Sequence, residues 1–237
     1  MEAHVRIGGN RRFKLKHAVL IYTDTSTAFA SLHDVRVNSE GAPYLGPGRS
    51  VTTAFLRRLA QGLGAAVRPE VLSECVLART PDLIVWWSRA QCRLMFFGGQ
   101  EEKAQALNGH VYPHPPLVFK VRGRELFVRA LAEDTRPKAE TQLKSAPYWN
   151  TDSEGLVCAG TMKVPIDVTV ESISAWENAY FESEFTHPAG AVRLTKHSGG
   201  FLGLWKSLRD KDCAFPTKLL TDAKETLREF IEPGRER

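Results

Sequence analysis

The chain has 237 residues, of which 43% are hydrophobic and 25% are charged, and its formal net charge is +5. This composition is ordinary for a soluble globular protein of one elaborated domain or two small ones. No stretch approaches the roughly 20 apolar residues that span a bilayer, and the amino terminus lacks the apolar run of a secretory signal. We therefore expect a soluble, cytoplasmic protein with no membrane partner.

Four cysteines are widely and irregularly spaced: Cys75, Cys92, Cys158 and Cys213. None forms a CxxC pair, which argues against a compact disulfide framework and a zinc site. His110 and His114 do not have zinc-ligand spacing with Cys92 either, so we expect no metal and no cofactor. Apolar neighbours favour core positions for the cysteines other than Cys158.

The first part of the chain predicts two strands and a helix. Residues 18–22 and 27–32 are predicted strands, and the turn-forming residues 23–26 between them indicate a hairpin. Residues 41–48 are rich in glycine and proline and predict a loop. Ser50 then stands where an N-cap would begin a helix that runs to about Gly62.

The middle of the chain predicts an antiparallel meander. Its strands are expected at residues 71–77, 83–87 and 92–97, the last two as neighbours. The prolines of residues 112–116 argue against regular structure there, because proline lacks an N–H donor and restrains its predecessor. Residues 117–131 predict a hairpin across Gly123, and the charged residues 132–146 predict an exposed excursion.

The last third predicts helices, at residues 174–185, 201–208 and 221–231. Strands followed by helices are typical of an α+β protein. We expect residues 1–49 to be an N-terminal hairpin extension and residues 50–237 to be one compact domain.

A polar loop leads into Cys158. Asn150, Asp152 and Gly155 are residue types that bend the chain and bond its backbone. A thiol beside a loop rich in amide hydrogens suits a nucleophile whose reaction builds negative charge on oxygen. The alternative is a free cysteine buried at the end of a strand.

Two irregular stretches together resemble ubiquitin-conjugating enzymes. Residues 112–119, Tyr-Pro-His-Pro-Pro-Leu-Val-Phe, resemble the proline turn and following strand of that family. Asn150 lies eight residues before Cys158 and Gly155 lies three before it, which matches the family's spacing. Residues 148–150, Tyr-Trp-Asn, stand where the family has His-Pro-Asn. Over about residues 50–160 the chain is most similar to the prokaryotic ubiquitin-conjugating-enzyme-like family D, also known as PRTRC system protein B.

The resemblance implies a UBC-like fold, an antiparallel β-meander flanked by helices, here with the N-terminal hairpin added. It implies that Cys158 accepts a ubiquitin-like protein as a thioester from a ThiF-type activating enzyme and passes it to an amine. A JAB-type peptidase is expected in the same gene cassette. Asn150 is implied either to donate to the oxyanion or to supply hydrogen bonds that hold the loop.

Four further residues are candidates for accessory roles. Asp152 and Glu154 are placed to orient or deprotonate an incoming lysine, or else they are solvated loop carboxylates. His187 and His197 are candidates for a base near Cys158. A histidine in a Thr-His-Pro turn such as that of His187 more often bonds its own backbone.

Two other functions stay open. One is a UBC-like module that binds a ubiquitin-like protein without accepting it. The other is a basic nucleic-acid-binding protein of a mobile-element cassette, suggested by arginines at positions 11–12, 57–58 and 122 and 124. Scattered charges with acids nearby favour a solvated surface over nucleic-acid binding.

Overall fold

The computed structural model describes residues 4–6, 12–23, 28–62, 71–99, 102–189 and 193–232. The chain divides into two compact units, residues 1–69 and residues 70–237. The first unit therefore includes the helix that follows residue 50, beyond the extension over residues 1–49 expected from the sequence.

Within the described part of the first unit, the chain forms two small antiparallel sheets and one helix. Its elements are β1 (His4–Arg6), β2 (Arg12–Lys14), β3 (His17–Thr23), β4 (Ala28–Val37), β5 (Pro43–Ser50) and α1 (Thr53–Gly62). β1 pairs with β2, and β4 lies between β3 and β5 in a three-stranded sheet. β3 and β4 are antiparallel neighbours, with Val19 opposite Leu32, whereas the turn predicted between them lies mostly outside the described residues.

The loop predicted for residues 41–48 is wrong, because most of this stretch is strand β5. Its glycine at position 48 serves close packing, since a Cβ there would lie 2.9 Å from Cε1 of His33. The prolines stand at the start of the strand and at a break in register, which are the places where a strand tolerates proline. Ser50 ends β5, and the side chain of Thr52 instead accepts from the amide of Phe55 at 3.2 Å.

The second unit contains nine strands and four helices in the described residues. They are β6 (Val76–Thr80), β7 (Leu83–Ser88), β8 (Gln91–Phe97), α2 (Glu102–Gln105), β9 (His110–His114), β10 (Leu117–Arg122), β11 (Glu125–Ala130), β12 (Gln142–Ser145), α3 (Ile173–Phe181), β13 (Glu184–Phe185), α4 (Gly200–Leu208), β14 (Asp222–Thr226) and α5 (Leu227–Ile231). A 3-10 turn covers Thr217–Leu219. The structure is thus a mixed one of antiparallel sheets and helices.

The core of the second unit lies on both faces of a six-stranded antiparallel sheet with the order β14-β12-β11-β10-β7-β6. One face contacts α3 and α4, and the residues of that cluster include Ile84, Trp86, Phe119, Trp176, Tyr180 and Trp205. The other face carries Val85, Trp87 and Val118 against Leu227 and Phe230 of α5. Central strands buried on both faces explain why β7 and β10 are almost continuously apolar.

The predicted meander from β7 to β8 is wrong. β7 pairs with β6 on one side and β10 on the other, so it has no free edge for β8. β8 instead belongs to a second sheet with the order β13-β8-β9, in which β13 runs parallel to it.

The irregular segment predicted for residues 112–116 is also wrong in part. Tyr112, Pro113 and His114 belong to β9, and Pro113 lies opposite Cys92 of β8. Because β9 is an edge strand of its sheet, the missing N–H of the proline leaves no gap in the ladder.

Two predictions near the carboxyl terminus are corrected as well. The excursion over residues 132–146 returns to the sheet as β12, where Leu143 and Ser145 are buried. The helix predicted over residues 221–231 is half strand, because β14 adds to the edge of β12. Thr226 then begins α5 with a capping box, in which Glu229 accepts from its amide at 2.7 Å. The described residues include no helix that is long and apolar enough to cross a membrane.

Candidate functional site

Cys158 stands where the chain leaves the large sheet. The preceding residues form a short ladder on β11: Val128 donates to the carbonyl of Gly155, and Val157 donates to that of Leu126, both at 2.8 Å. Val157 is buried, whereas Cys158 is exposed. The thiol is therefore held at the rim of the core and is open to solvent. The alternative of a cysteine buried at a strand end is wrong.

Asn150 fixes the backbone next to Cys158. Its carbonyl accepts from the amide of Cys158 at 2.8 Å, and its own amide donates to the carbonyl of His187 at 2.9 Å. Asn150 has a positive φ of 59°, a left-handed conformation that asparagine adopts more readily than most residues. Asn150 and Cys158 therefore belong to one hydrogen-bonded loop.

The side chain of Asn150 is 3% exposed and is used for structure. Its Nδ2 donates to the carbonyl of Glu184 at 2.7 Å. Its Oδ1 accepts from the amide of Thr186 at 3.1 Å and from the Thr186 hydroxyl at 3.0 Å. These partners fix the orientation of the amide, because carbonyls accept and N–H groups donate. The loop is thus joined to the segment that follows β13.

Asp152 shapes the turn between Asn150 and Cys158. Its Oδ1 accepts from the amides of Glu154 and Leu156, both at 2.9 Å. Gly155 has a φ of 84°, and a Cβ there would lie 2.9 Å from the carbonyl oxygen of Val128. Only glycine lets the turn approach β11 this closely. One carboxylate oxygen of Asp152 is therefore committed to the loop itself.

Tyr148 and Trp149 anchor the loop in the core. Tyr148 is fully buried, and its hydroxyl forms a 2.7 Å hydrogen bond with Nδ1 of His114. Trp149 stacks on Phe201 of α4 with ring centroids 4.5 Å apart. The indole nitrogen of Trp205 donates to the carbonyl of Pro147 at 3.1 Å. Aromatic packing rather than polar chemistry therefore occupies the first two positions of the Tyr-Trp-Asn tripeptide.

Burial sets the protonation of the pair beneath the loop. Desolvation lowers the pKa of His114 to about 3. The backbone of Arg93, as a hydrogen-bond acceptor, opposes this effect, and the Arg93 charge adds to it. Desolvation also raises the pKa of Tyr148 well above its ordinary value. Both side chains are neutral at pH 7, so the anchor under the loop carries no charge.

Comparison with models of protein families gives a match to Prokaryotic E2 family D over residues 54–223. The chain belongs to prokaryotic E2 family D. The match spans more than half of the chain and includes the whole loop from Tyr148 to Cys158, so the resemblance drawn from the sequence is confirmed. Searches of curated proteins and of solved structures found no significant match.

The two candidate histidines of this family D protein lie in different settings. His187 is exposed, its carbonyl accepts from Asn150, and its Nδ1 lies 2.8 Å from the hydroxyl of Thr186. The nitrogen Nδ1 of His197 accepts from the amide of Gly199 at 3.0 Å, and its ring packs against Gly203 in the first turn of α4. The contacts of His187 thus include the Cys158 loop, and those described for His197 do not.

Sequence reasoning missed the residues that hold the loop from a distance. Glu184 and Thr186 bind Asn150 from more than 30 positions away, and Phe201 and Trp205 pack beneath it from α4. No local pattern links them to Asn150. The aromatic character of Tyr148 and Trp149, in a loop that is otherwise polar, was the available indication that the loop has a core anchor.

The other cysteines provide comparisons for Cys158. Cys92 and Cys213 are exposed, so their predicted core positions are wrong. Cys92 faces outward because it lies at an exposed position of β8, a strand whose side chains alternate between core and solvent. Cys75 is partly buried, and its sulfur lies 2.8 Å from the hydroxyl of Ser73.

Proposed function

We propose that this protein is a ubiquitin-conjugating-enzyme-like carrier that accepts a ubiquitin-like protein on Cys158. One observation carries the proposal: the exposed thiol of Cys158 follows a loop that Asn150 holds in place. The Asn150 carbonyl accepts from the Cys158 amide, and the Asn150 side chain donates to the carbonyl of Glu184. Membership of prokaryotic E2 family D supports the same chemistry. The partners are a ThiF-type activating enzyme and its ubiquitin-like protein, with a JAB-type peptidase to remove the product.

The first step is exchange between thioesters. The thiolate of Cys158 attacks the carbonyl carbon that links the carboxyl terminus of the ubiquitin-like protein to a cysteine of the activating enzyme. A new C–S bond forms to Cys158, the old C–S bond breaks, and the activating enzyme leaves as a thiolate. Exposure suits this step, because a reactive thiol must be reached by another protein.

The second step transfers the acyl group to an amine. A neutral amine attacks the Cys158 thioester, a C–N bond forms, and the C–S bond breaks to release the Cys158 thiolate. The amine loses one proton to a base. The products are an amide and the free carrier.

Asn150 acts in this scheme as a positioning residue. Its side chain is buried and already bonded to Glu184 and Thr186, which supports the loop-holding role over donation to the oxyanion. Asp152 acts in the same way through the amides of Glu154 and Leu156.

His187 is the better candidate for the base. The Thr186 hydroxyl donates its hydrogen to Asn150, so its oxygen is free to accept the hydrogen of His187 Nδ1. In that tautomer Nε2 keeps its lone pair and can accept a proton. His197 is the lesser candidate, because its described contacts lie with α4.

The test is a charging assay with the cognate activating enzyme, the ubiquitin-like protein and ATP. Wild-type protein should form a thiol-sensitive adduct, Cys158→Ala should form none, and Cys158→Ser should form a thiol-resistant ester. Cys92→Ala and Cys213→Ala are matched controls, because both remove an exposed thiol elsewhere and should charge normally. An adduct that survives in Cys158→Ala contradicts the proposal.

A second candidate is a binding module without the transfer step. Tyr148 and Trp149 favour the binding module, because they pack in the core at the two positions where ubiquitin-conjugating enzymes carry histidine and proline. This function predicts that Cys158→Ala binds the ubiquitin-like protein as tightly as wild type and that no variant forms an adduct.

A further inference from the structure

The positive charge of the chain is concentrated in the first unit. Residues 1–69 contain ten lysines and arginines against four aspartates and glutamates, whereas residues 70–237 contain 22 against 23. The first unit therefore carries a formal charge of +6 and the second carries −1. A local excess of this kind attracts polyanions, although the charge of the whole chain is modest.

Much of this charge lines one groove. A groove of about 570 Å³ lies between α1 and the β3-β4-β5 sheet. Its basic lining residues are Lys14, Lys16, His17, Arg49 and Arg58, and none of the described residues that line it is acidic. Nearby Asp34 accepts from Arg49 at 2.8 Å and from His17 at 3.0 Å, so its charge is already balanced within the unit.

The floor of the groove is apolar and partly aromatic. Val19, Phe55 and Leu59 line it, and the ring of His17 meets that of Phe55 edge-on at 5.8 Å. Val19 and Leu59 are 40% and 44% exposed. Ile21, two residues after Val19 and on the same face of β3, continues the apolar surface at 72% exposure.

We propose that this groove binds a single strand of nucleic acid. Such a strand presents phosphates at regular intervals and unpaired bases between them. Cationic walls fit the phosphates, and an exposed apolar floor with two rings fits the faces of the bases. A duplex would satisfy the walls only, because its bases are already stacked inside it.

A second groove of similar size is lined by both acidic and basic residues and serves as a comparison. It lies in the second unit, beside the Cys158 loop, at about 600 Å³. Its charged lining residues are Lys120, Arg122 and Arg129 with Glu125, Glu154, Glu225 and Glu229. Because its four acids outnumber its three bases, it offers no net attraction to a polyanion, in contrast to the groove of the first unit.

The experiment measures fluorescence anisotropy of a labelled oligothymidylate of about 20 nucleotides with the full-length protein. Arg49 is already paired with Asp34, so contacts of Lys16 and Arg58 with two phosphates set the expected slope, about −1.4 in a plot of log affinity against log salt. This slope is about a seven-fold loss of affinity between about 50 and about 200 mM salt. The double variant Lys16→Gln/Arg58→Gln should reduce the slope by about 1.4. Both side chains are exposed, so the fold should be preserved.

The matched control removes two exposed arginines of the second unit, as Arg122→Gln/Arg124→Gln. It should leave affinity and slope unchanged. An equal loss in both double variants, or a loss in neither, overturns the assignment of the groove. An abasic oligonucleotide of the same length should bind at least about ten-fold more weakly, because one base–ring contact has about that worth.

Equal binding of the abasic strand, of a duplex or of an acidic peptide overturns the choice of a single strand. The proposal is independent of conjugation. Cys158→Ala should bind the oligonucleotide like wild type, so a failed charging assay leaves this inference standing, and the converse also holds.

Discussion

Replacement of Asn150 by alanine should destabilise the second unit by about 4 kcal/mol. The change removes the bond from Nδ2 to Glu184 and the two bonds from Thr186 to Oδ1. Each of these hydrogen bonds contributes about 1 kcal/mol to the free energy of unfolding, and its loss leaves a buried partner group unpaired. The left-handed backbone of residue 150 adds about 1 kcal/mol, because alanine disfavours it more than asparagine does.

Asn150→Gly is the matched control. It loses the same three bonds but accepts a positive φ without strain, so it should cost about 1 kcal/mol less than alanine. Urea unfolding followed by tryptophan fluorescence gives both values, and the midpoint should fall while the m-value stays constant. A cost below about 1 kcal/mol for alanine, or a larger cost for glycine than for alanine, would refute the reasoning.

The same variants separate a holding role from a chemical one. An oxyanion donor would give about a 10²–10³-fold slower discharge of the charged carrier to an amine, with no required change in stability. A positioning residue predicts that slower discharge accompanies a lower unfolding midpoint. If Asn150→Gly kept wild-type stability but discharged about 100-fold more slowly, Asn150 would be an oxyanion donor and not a positioning residue.

Further predictions concern pH and the loop anchor. His114 has a folded pKa of about 3 and an ordinary value of 6.5, so the unfolded state binds more protons between these values. Stability should therefore fall as the pH decreases from about 6.5 to 3, by up to about 1.4 kcal/mol per pH unit, and His114→Gln should flatten this dependence in urea titrations. Lys120, whose pKa burial lowers to about 8 from 10.5, should make stability rise between pH 8 and 10.5, and Lys120→Met should abolish that rise. Trp149→Ala, which deletes the stack on Phe201, should cost about 3 kcal/mol and slow charging, whereas Trp149→Phe should retain most of both.

The parts of the fold that local pattern determines could be predicted. The β10–β11 hairpin follows from two apolar runs around Gly123, whose φ of 59° suits a tight turn. The spacing of Asn150, Gly155 and Cys158 was likewise readable, because all three belong to one short loop. Where residues close in sequence are also in contact, the local sequence pattern is enough to predict the contact.

The remaining parts depend on which edges of a sheet are free. Residues 221–226 have no strand signature strong enough to oppose a helix, and they become β14 because the edge of β12 accepts them. Pro113 on its own argues against a strand, yet an edge strand tolerates it. The side-chain partners of Asn150 lie beyond position 183, and only the assembled sheet brings Glu184 beside it.

The replaced tripeptide and the exposed thiol fit one physical arrangement. Cys158 is exposed, so the contacts that hold its loop lie on the core side of the loop. Tyr148 and Trp149 supply that support through His114 and Phe201, in a region where buried, neutral groups pack without the cost of desolvating charge. Asn150 connects this support to the backbone of Cys158, because its side chain bonds Glu184 and Thr186 and its carbonyl accepts from the Cys158 amide at 2.8 Å.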